Sequence, residues 1–265
     1  MNILDKIVEY KLKEIAERKL ASPEVMLEKM KYWTRPTISL KKELLREDRH
    51  GIIAEFKRRS PSKGIINAEV LVEEVTQGYI AAGASALSIL TDSEFFGGNS
   101  QDLINGREVN ACPILRKDFI LDEYQIIEAK AMGADVILLI AAMLSPDQLK
   151  SLCSLAHSLH LEVLMEVHNE EELINNLNAN VDIIGVNNRN LKTFEVSIEA
   201  SKQLARIIPE EVIKISESGI DSVQAIVELK SYGFRGFLMG QTFMEQKDPG
   251  AGALKFINEL GGKIG

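Results

Sequence analysis

The chain has 265 residues, of which 45% are hydrophobic and 26% charged, with a net charge of -8. That balance excludes a disordered polymer, and the acidic surplus disfavours a nucleic-acid surface, which needs clustered Lys and Arg. Cys112 and Cys153 are too few for a disulfide scaffold and lack metal-ligand spacing, so both read as buried thiols.

Residues 1 to about 48 stand apart from the rest of the chain. Ile3, Ile7, Leu12 and Ile15, then Val25, Leu27 and Met30, predict two helices, and Leu40 to Arg49 forms a charged third segment. Such an extension can cap the bottom of the next unit or fold over its mouth, and the pattern leaves both open. No secretory leader and no run of about 20 apolar residues is visible, so a cytoplasmic location with no membrane contact is expected.

From residue 51 onward, short β-rich runs alternate with amphipathic stretches, the pattern of parallel strands joined by crossover helices. Eight strands are predicted: Gly51 to Lys57, Ala86 to Leu90, Ile114 to Lys117, Asp135 to Ile140, Glu162 to Val167, Ile183 to Val186, Ile213 to Ser216 and Gly236 to Met239. Helices are predicted over Ala68 to Ala82, Asp122 to Met132, Pro146 to His160 and Ser222 to Tyr232. Gly83, Gly133 and Gly233 follow three of them as stop signals.

Eight such units suit a closed (β/α)8 TIM barrel, an α/β fold, as one domain over residues 1–265 with the helical extension at residues 1–48. The rival is a doubly wound open sheet, but EFKRRSPSKG after the first strand lacks the glycine fingerprint of that fold.

In such barrels the chemistry collects at the C-terminal strand ends. Strand 1 ends with Glu55, Lys57, Arg59 and Ser60, and a period of two aims Glu55 and Lys57 at the interior, where each needs a partner. Strand 3 ends in Lys117, whose pKa burial and neighbouring cations would lower, suiting it to proton donation or Schiff-base chemistry. On strand 5, Glu166 lies nearer the top than Glu162 and is the better acid-base candidate; the lone His168 beyond it is weak evidence and is left out.

Strand 6 delivers Asn187, Asn188 and Arg189, and strand 7 delivers Glu217, Ser218 and Gly219. Gly219, with Gly240 and Gln241 after strand 8, fits the phosphate position that barrels build from their last two loops. Phe95, Phe96, Gly97 and Gly98 give the loop after strand 2 an aromatic surface, and Gly64 offers a hinge after strand 1.

The segments IIAEFKRRSPSKG, LRKDFILDEYQI, LMEVHNEEEL, IGVNNRNL and ISESGI, in this order, resemble the signatures of indole-3-glycerol-phosphate synthases. The resemblance implies a carboxy-lyase of tryptophan biosynthesis. It would convert 1-(o-carboxyphenylamino)-1-deoxyribulose 5-phosphate to indole-3-glycerol phosphate, with no metal or organic cofactor. It also implies that Lys117 is the general acid, that Lys57 holds the substrate carboxylate, that Glu166 serves the dehydration and that Glu55 positions hydroxyls and lysines. No motif says which lysine acts at which step.

By the same resemblance Asn187, Arg189, Glu217 and Ser218 orient the substrate, Arg59, Ser60, Gly219 and Gly240 hold phosphate, and Phe95 and Phe119 contact the anthranilate ring. Arg59 stands where many members carry lysine, and Gln241 where Ser or Glu is common. The ligand is then a phosphorylated small molecule, and the chain is expected to act as a monomer open to transient pathway partners. Three rivals remain: a Schiff-base aldolase using Lys57, Lys117 and Lys214, a sugar-phosphate isomerase similar to phosphoribosylanthranilate isomerase, and a barrel kept only for binding.

Overall fold

The computed structural model describes residues 3–190, 193 and 195–264; Met1, Asn2, Gly265 and Leu191, the last residue of the segment IGVNNRNL, lie outside the described residues. Eight parallel strands close a barrel: β1 (Ile52–Phe56), β2 (Ala86–Leu90), β3 (Ile114–Lys117), β4 (Val136–Ile140), β5 (Glu162–Val167), β6 (Ile183–Asn187), β7 (Ile213–Glu217) and β8 (Phe234–Met239). Each strand pairs with its sequence neighbour, and β8 returns to β1 with Phe237 opposite Ile52. This closure removes both sheet edges and excludes the doubly wound alternative.

Side-chain alternation divides the core in two. Ile53, Leu115, Val136, Leu138, Leu164, Ile183, Ile215 and Leu238 fill the barrel interior. The intervening residues, such as Ile52, Ala54, Ile137, Val163 and Val186, face the surrounding helices. The period of two therefore decides which strand-end residues look into the mouth: Glu55, Lys117, Glu166, Asn187 and Glu217 keep the inward parity, whereas Arg116 and Lys214 do not.

The helices start and stop where local chemistry satisfies their terminal backbone groups. The helix Glu123–Met132 begins with a capping box made by Asp122 and Gln125 and ends at Gly133 with φ 90°. The helix Pro146–Ser158 opens on a box made by Ser145 and Gln148. The first barrel helix, expected from Ala68, begins only at Val72, and its N-cap Leu71 offers no side-chain acceptor.

Both readings of the N-terminal extension hold at once, in different parts of it. Helix α1 (Ile3–Ala21) reaches the mouth, where Ile3, Leu4 and Ile7 line the cavity and Tyr10 meets Phe95 edge to face at 5.8 Å. A turn of helix, α2 (Glu24–Leu27), packs with Ile15 against the flank, near Tyr124 and Ala131. Helix α3 (Leu40–Leu44) plugs the other end: Leu40 and Leu44 join the interior cluster, and Lys41 N–H donates to Glu162 at 3.0 Å.

One element was not foreseen. After β1 the chain makes a small antiparallel hairpin, Arg59–Ser60 against Gly64–Ile65, with the proposed hinge residue Gly64 at φ 69°. Cys153 is buried and Cys112 half-buried, both as free thiols. Among the described residues, no helix is long and apolar enough to cross a membrane.

Candidate active site

The inward strand ends converge on a cavity of about 440 Å³. At its floor Lys117 Nζ lies 2.6 Å from Glu217 Oε2 and 3.0 Å from Glu166 Oε2, so one ammonium bridges carboxylates from β5 and β7. Lys57 Nζ lies 2.7 Å from Glu55 Oε1, and Ser88 touches the other oxygen of Glu55 at 3.5 Å. Asn187 donates to Glu166 Oε1 at 2.9 Å, while its own carbonyl oxygen accepts from the Arg189 N–H at 3.0 Å. Glycine makes this crowding feasible: a Cβ on Gly185 would sit 2.8 Å from Glu217 Oε1, and one on Gly240 2.9 Å from Glu55 Cβ.

Burial opposes charge on Lys117, but Glu166, Glu217 and Glu55 outweigh it and raise its pKa. The lowering expected from burial and adjacent cations is therefore corrected, because carboxylates are what surround this nitrogen. Lys117 stays an ammonium, which can donate a proton but is a poor amine nucleophile for a Schiff base. Lys214 gives the aldolase reading no help either, since it turns outward and donates to the Ala205 carbonyl at 3.2 Å.

The two carboxylates flanking Lys117 are pushed apart. Burial raises the Glu166 carboxyl, yet Lys117, His168 and Asn187 override it and hold the group ionised. Burial and the Glu166 charge raise Glu217, with Lys117 opposing, to about 7. Its Oε1 is buried without a hydrogen-bond partner.

Ser218 and Gly219 sit at the rim with φ 68° each, a strained pairing for the serine that Asn188 braces by donating to the Ser218 carbonyl at 3.0 Å. Gly219, Gly240 and Gln241 line the cavity together with Ser60, Ser62 and Lys63 from the hairpin. The Gln241 side chain donates to Glu245 Oε1 at 2.8 Å.

Two expected contacts sit elsewhere. Arg59 does not line the cavity; its guanidinium donates to the Ser93 carbonyl at 3.1 Å, because the hairpin turns it toward the loop after β2. Phe95 stands behind the lining, 6.0 Å edge to face from Phe119, and Phe96 takes the cavity position beside Phe119.

Sequence reasoning also missed three supports. His168 Nε2 lies 3.2 Å from Glu166 Oε1. Arg116, fully buried on the outward face of β3, bonds Asp118 and Glu128 and ties Asp118 to the helix behind it. Lys11 of α1 pairs with Asp92 and Asp118 at 2.9 and 2.8 Å. Inward parity past the strand end was the available signal for His168; for Lys11 there was none.

A family model described as indole-3-glycerol phosphate synthase matches residues 4–256. The curated indole-3-glycerol phosphate synthase of Bacteroides thetaiotaomicron is 50% identical over 222 residues, covering 84% of this chain and 85% of that protein. The one from Caldanaerobacter subterraneus is 42% identical, covering 93% and 94% respectively. A thiamine phosphate pyrophosphorylase structure from Pyrococcus furiosus overlays 86% of this chain and all of that one with TM-score 0.62 at 14% identity, which shows the fold alone. A barrel whose inward strand ends carry two lysines and three carboxylates, matched over nearly its whole length, belongs to the indole-3-glycerol phosphate synthase family.

Proposed function

We propose that the chain catalyses ring closure, decarboxylation and dehydration of 1-(o-carboxyphenylamino)-1-deoxyribulose 5-phosphate, giving indole-3-glycerol phosphate, CO2 and water. The observation that carries this reading is the bridge from Lys117 to Glu166 and Glu217. It supplies a charged donor beside a carboxylate held ionised, at the floor of a cavity with glycine-bearing rims.

In this reading the aromatic carbon bearing the carboxylate attacks the ribulose carbonyl, and Lys117 protonates the oxygen as the C–C bond forms. Loss of CO2 returns its bonding electrons to the ring. The methylene beside the nitrogen then gives a proton to Glu166, which passes it to the hydroxyl leaving as water, and the C=C bond so formed completes the aromatic indole.

Lys57, held by Glu55, receives the substrate carboxylate and is available for proton transfer. Asn187, Arg189, Glu217 and Ser218 orient the sugar chain, and Ser60, Gly219, Gly240 and the Gln241 backbone receive phosphate. Phe96 and Phe119 offer the ring an apolar wall. Fixing both reacting carbons contributes several kcal/mol, roughly 7–11 at the limit, and the proton transfers add about 10²- to 10⁴-fold.

The fold serves this as one domain, residues 1–265, with α1 of the extension covering part of the mouth, and the chain works as a monomer in the cytoplasm. The test is product identification: the purified chain is mixed with the carboxyphenylamino substrate, and products are followed by indole fluorescence and mass spectrometry. Formation of indole-3-glycerol phosphate with one CO2 released per turnover supports the reading. A folded chain that binds the substrate and leaves it unchanged overturns it.

A further inference from the structure

His168 follows the last residue of β5 and keeps the inward parity of Glu162, Leu164 and Glu166. Its ring is almost wholly buried, 8% exposed, between two carboxylates. Nε2 lies 3.2 Å from Glu166 Oε1, off the ideal hydrogen-bond direction, and is sealed from solvent with no other partner. Nδ1 lies 3.1 Å from Glu172 Oε2, which also accepts the His168 backbone N–H at 2.8 Å.

Glu172 is itself fixed. Asn169, the N-cap of the helix Glu170–Asn176, donates to Glu172 Oε1 at 2.7 Å and accepts the Glu172 N–H at 2.9 Å. The ring therefore hangs from an anchored carboxylate at one end and meets Glu166 at the other. Glu166 is in turn gripped from β6 by Asn187 and from β3 by Lys117.

We propose that His168 is a positioning residue for Glu166: an imidazolium clamped between Glu166 and Glu172 that keeps the Glu166 carboxylate ionised and aimed into the cavity. This rests on the reaction proposed for the site, in which Glu166 moves a proton. A neutral ring can donate to only one of two carboxylates and carries no charge for the other, whereas the cation donates from Nδ1 to Glu172 and pairs its charge with Glu166 across Nε2. Burial lowers the ring's pKa, but Glu166 and Glu172 more than reverse that and push it up to about 10. Beyond Glu166, the charged groups of the cluster are Lys117 and Glu217, with Glu55 and its partner Lys57 behind them.

The test reads the charge and the catalysis separately in the full chain. Histidine-selective ¹⁵N NMR should show one ring doubly protonated at about pH 8, assigned by its loss in His168→Gln, with a midpoint that drops by about one unit or more in Glu172→Gln. In turnover, His168→Leu should lower kcat about tenfold or more with KM held within about twofold, and should move the acid limb of the kcat profile to higher pH. His168→Gln, which keeps a donor toward Glu166, should recover part of the loss.

A neutral His168 at that pH in an active parent overturns this inference alone. So does a His168→Leu protein that melts earlier but keeps its kcat and acid limb, since a purely structural ring would behave that way. A parent that holds the imidazolium yet makes no product overturns the reaction assigned to the site.

Discussion

Lys11 of the N-terminal helix and Asp118, the residue after Lys117, meet at 2.8 Å with both side chains fully buried. The same Asp118 accepts from Thr91 at 2.6 Å and from Arg116 at 3.1 Å, and its Oδ1 takes the Phe119 N–H at 2.8 Å. The extension is thus fastened to the strand end that carries the bridging lysine and to the aromatic wall beside it.

Cutting this pair should cost stability and substrate binding together. Lys11→Met leaves Asp92 and Asp118 buried with less compensation, and loss of about 3–5 kcal/mol is expected from urea unfolding. KM should rise as α1 loosens from the mouth. An unfolding midpoint within error of the parent would contradict the anchoring role.

Glu217 gives a pH signature whose sign can be worked out. Its folded pKa is raised, first by burial and then by Glu166, from the ordinary 4.5 to about 7. The fold therefore binds the proton more tightly than the unfolded chain, and this group's contribution to stability falls as pH climbs from 4.5 through about 7. Glu217→Gln removes that fall, so at about pH 8 the variant should be about 1–3 kcal/mol more stable than the parent. Activity should drop, because the partner of Lys117 has changed. Equal pH dependence of unfolding in both proteins would refute the assignment.

Gly219 separates phosphate binding from chemistry. Its φ of 68° disfavours any side chain, and an added Cβ would come within 2.0 Å of Val196 Cγ1. Gly219→Ala should raise KM about tenfold or more through the displaced rim, with a smaller change in kcat, as expected for loss of uniform binding. Inorganic phosphate titrated against the free variant should bind more weakly by a similar factor; unchanged phosphate affinity would move the anion site off this loop.

The barrel itself was legible because strand parity and helix punctuation are local: all eight strands form, and Gly133 ends its helix as read. Glu55, Lys57, Lys117, Glu166, Asn187 and Glu217 converge for the same reason, since inward parity at a strand end needs no tertiary information. What stayed hidden depends on contacts between distant segments. The charge state of Lys117 is set by carboxylates 49 and 100 positions away. Lys11 reads as a solvated helix lysine until Asp92 and Asp118 are brought to it. The exchange of Phe95 for Phe96, and the turning away of Arg59, follow from loop and hairpin geometry that periodicity does not encode.

The central claim is that Lys117, held as an ammonium by Glu166 and Glu217, donates the proton of ring closure. Steady-state fluorescence of indole-3-glycerol phosphate formation by the parent and by Lys117→Ala tests it most directly. A kcat lowered at least about 10²-fold with KM changed by no more than about threefold is the predicted result. Near-parental turnover in the variant would contradict it.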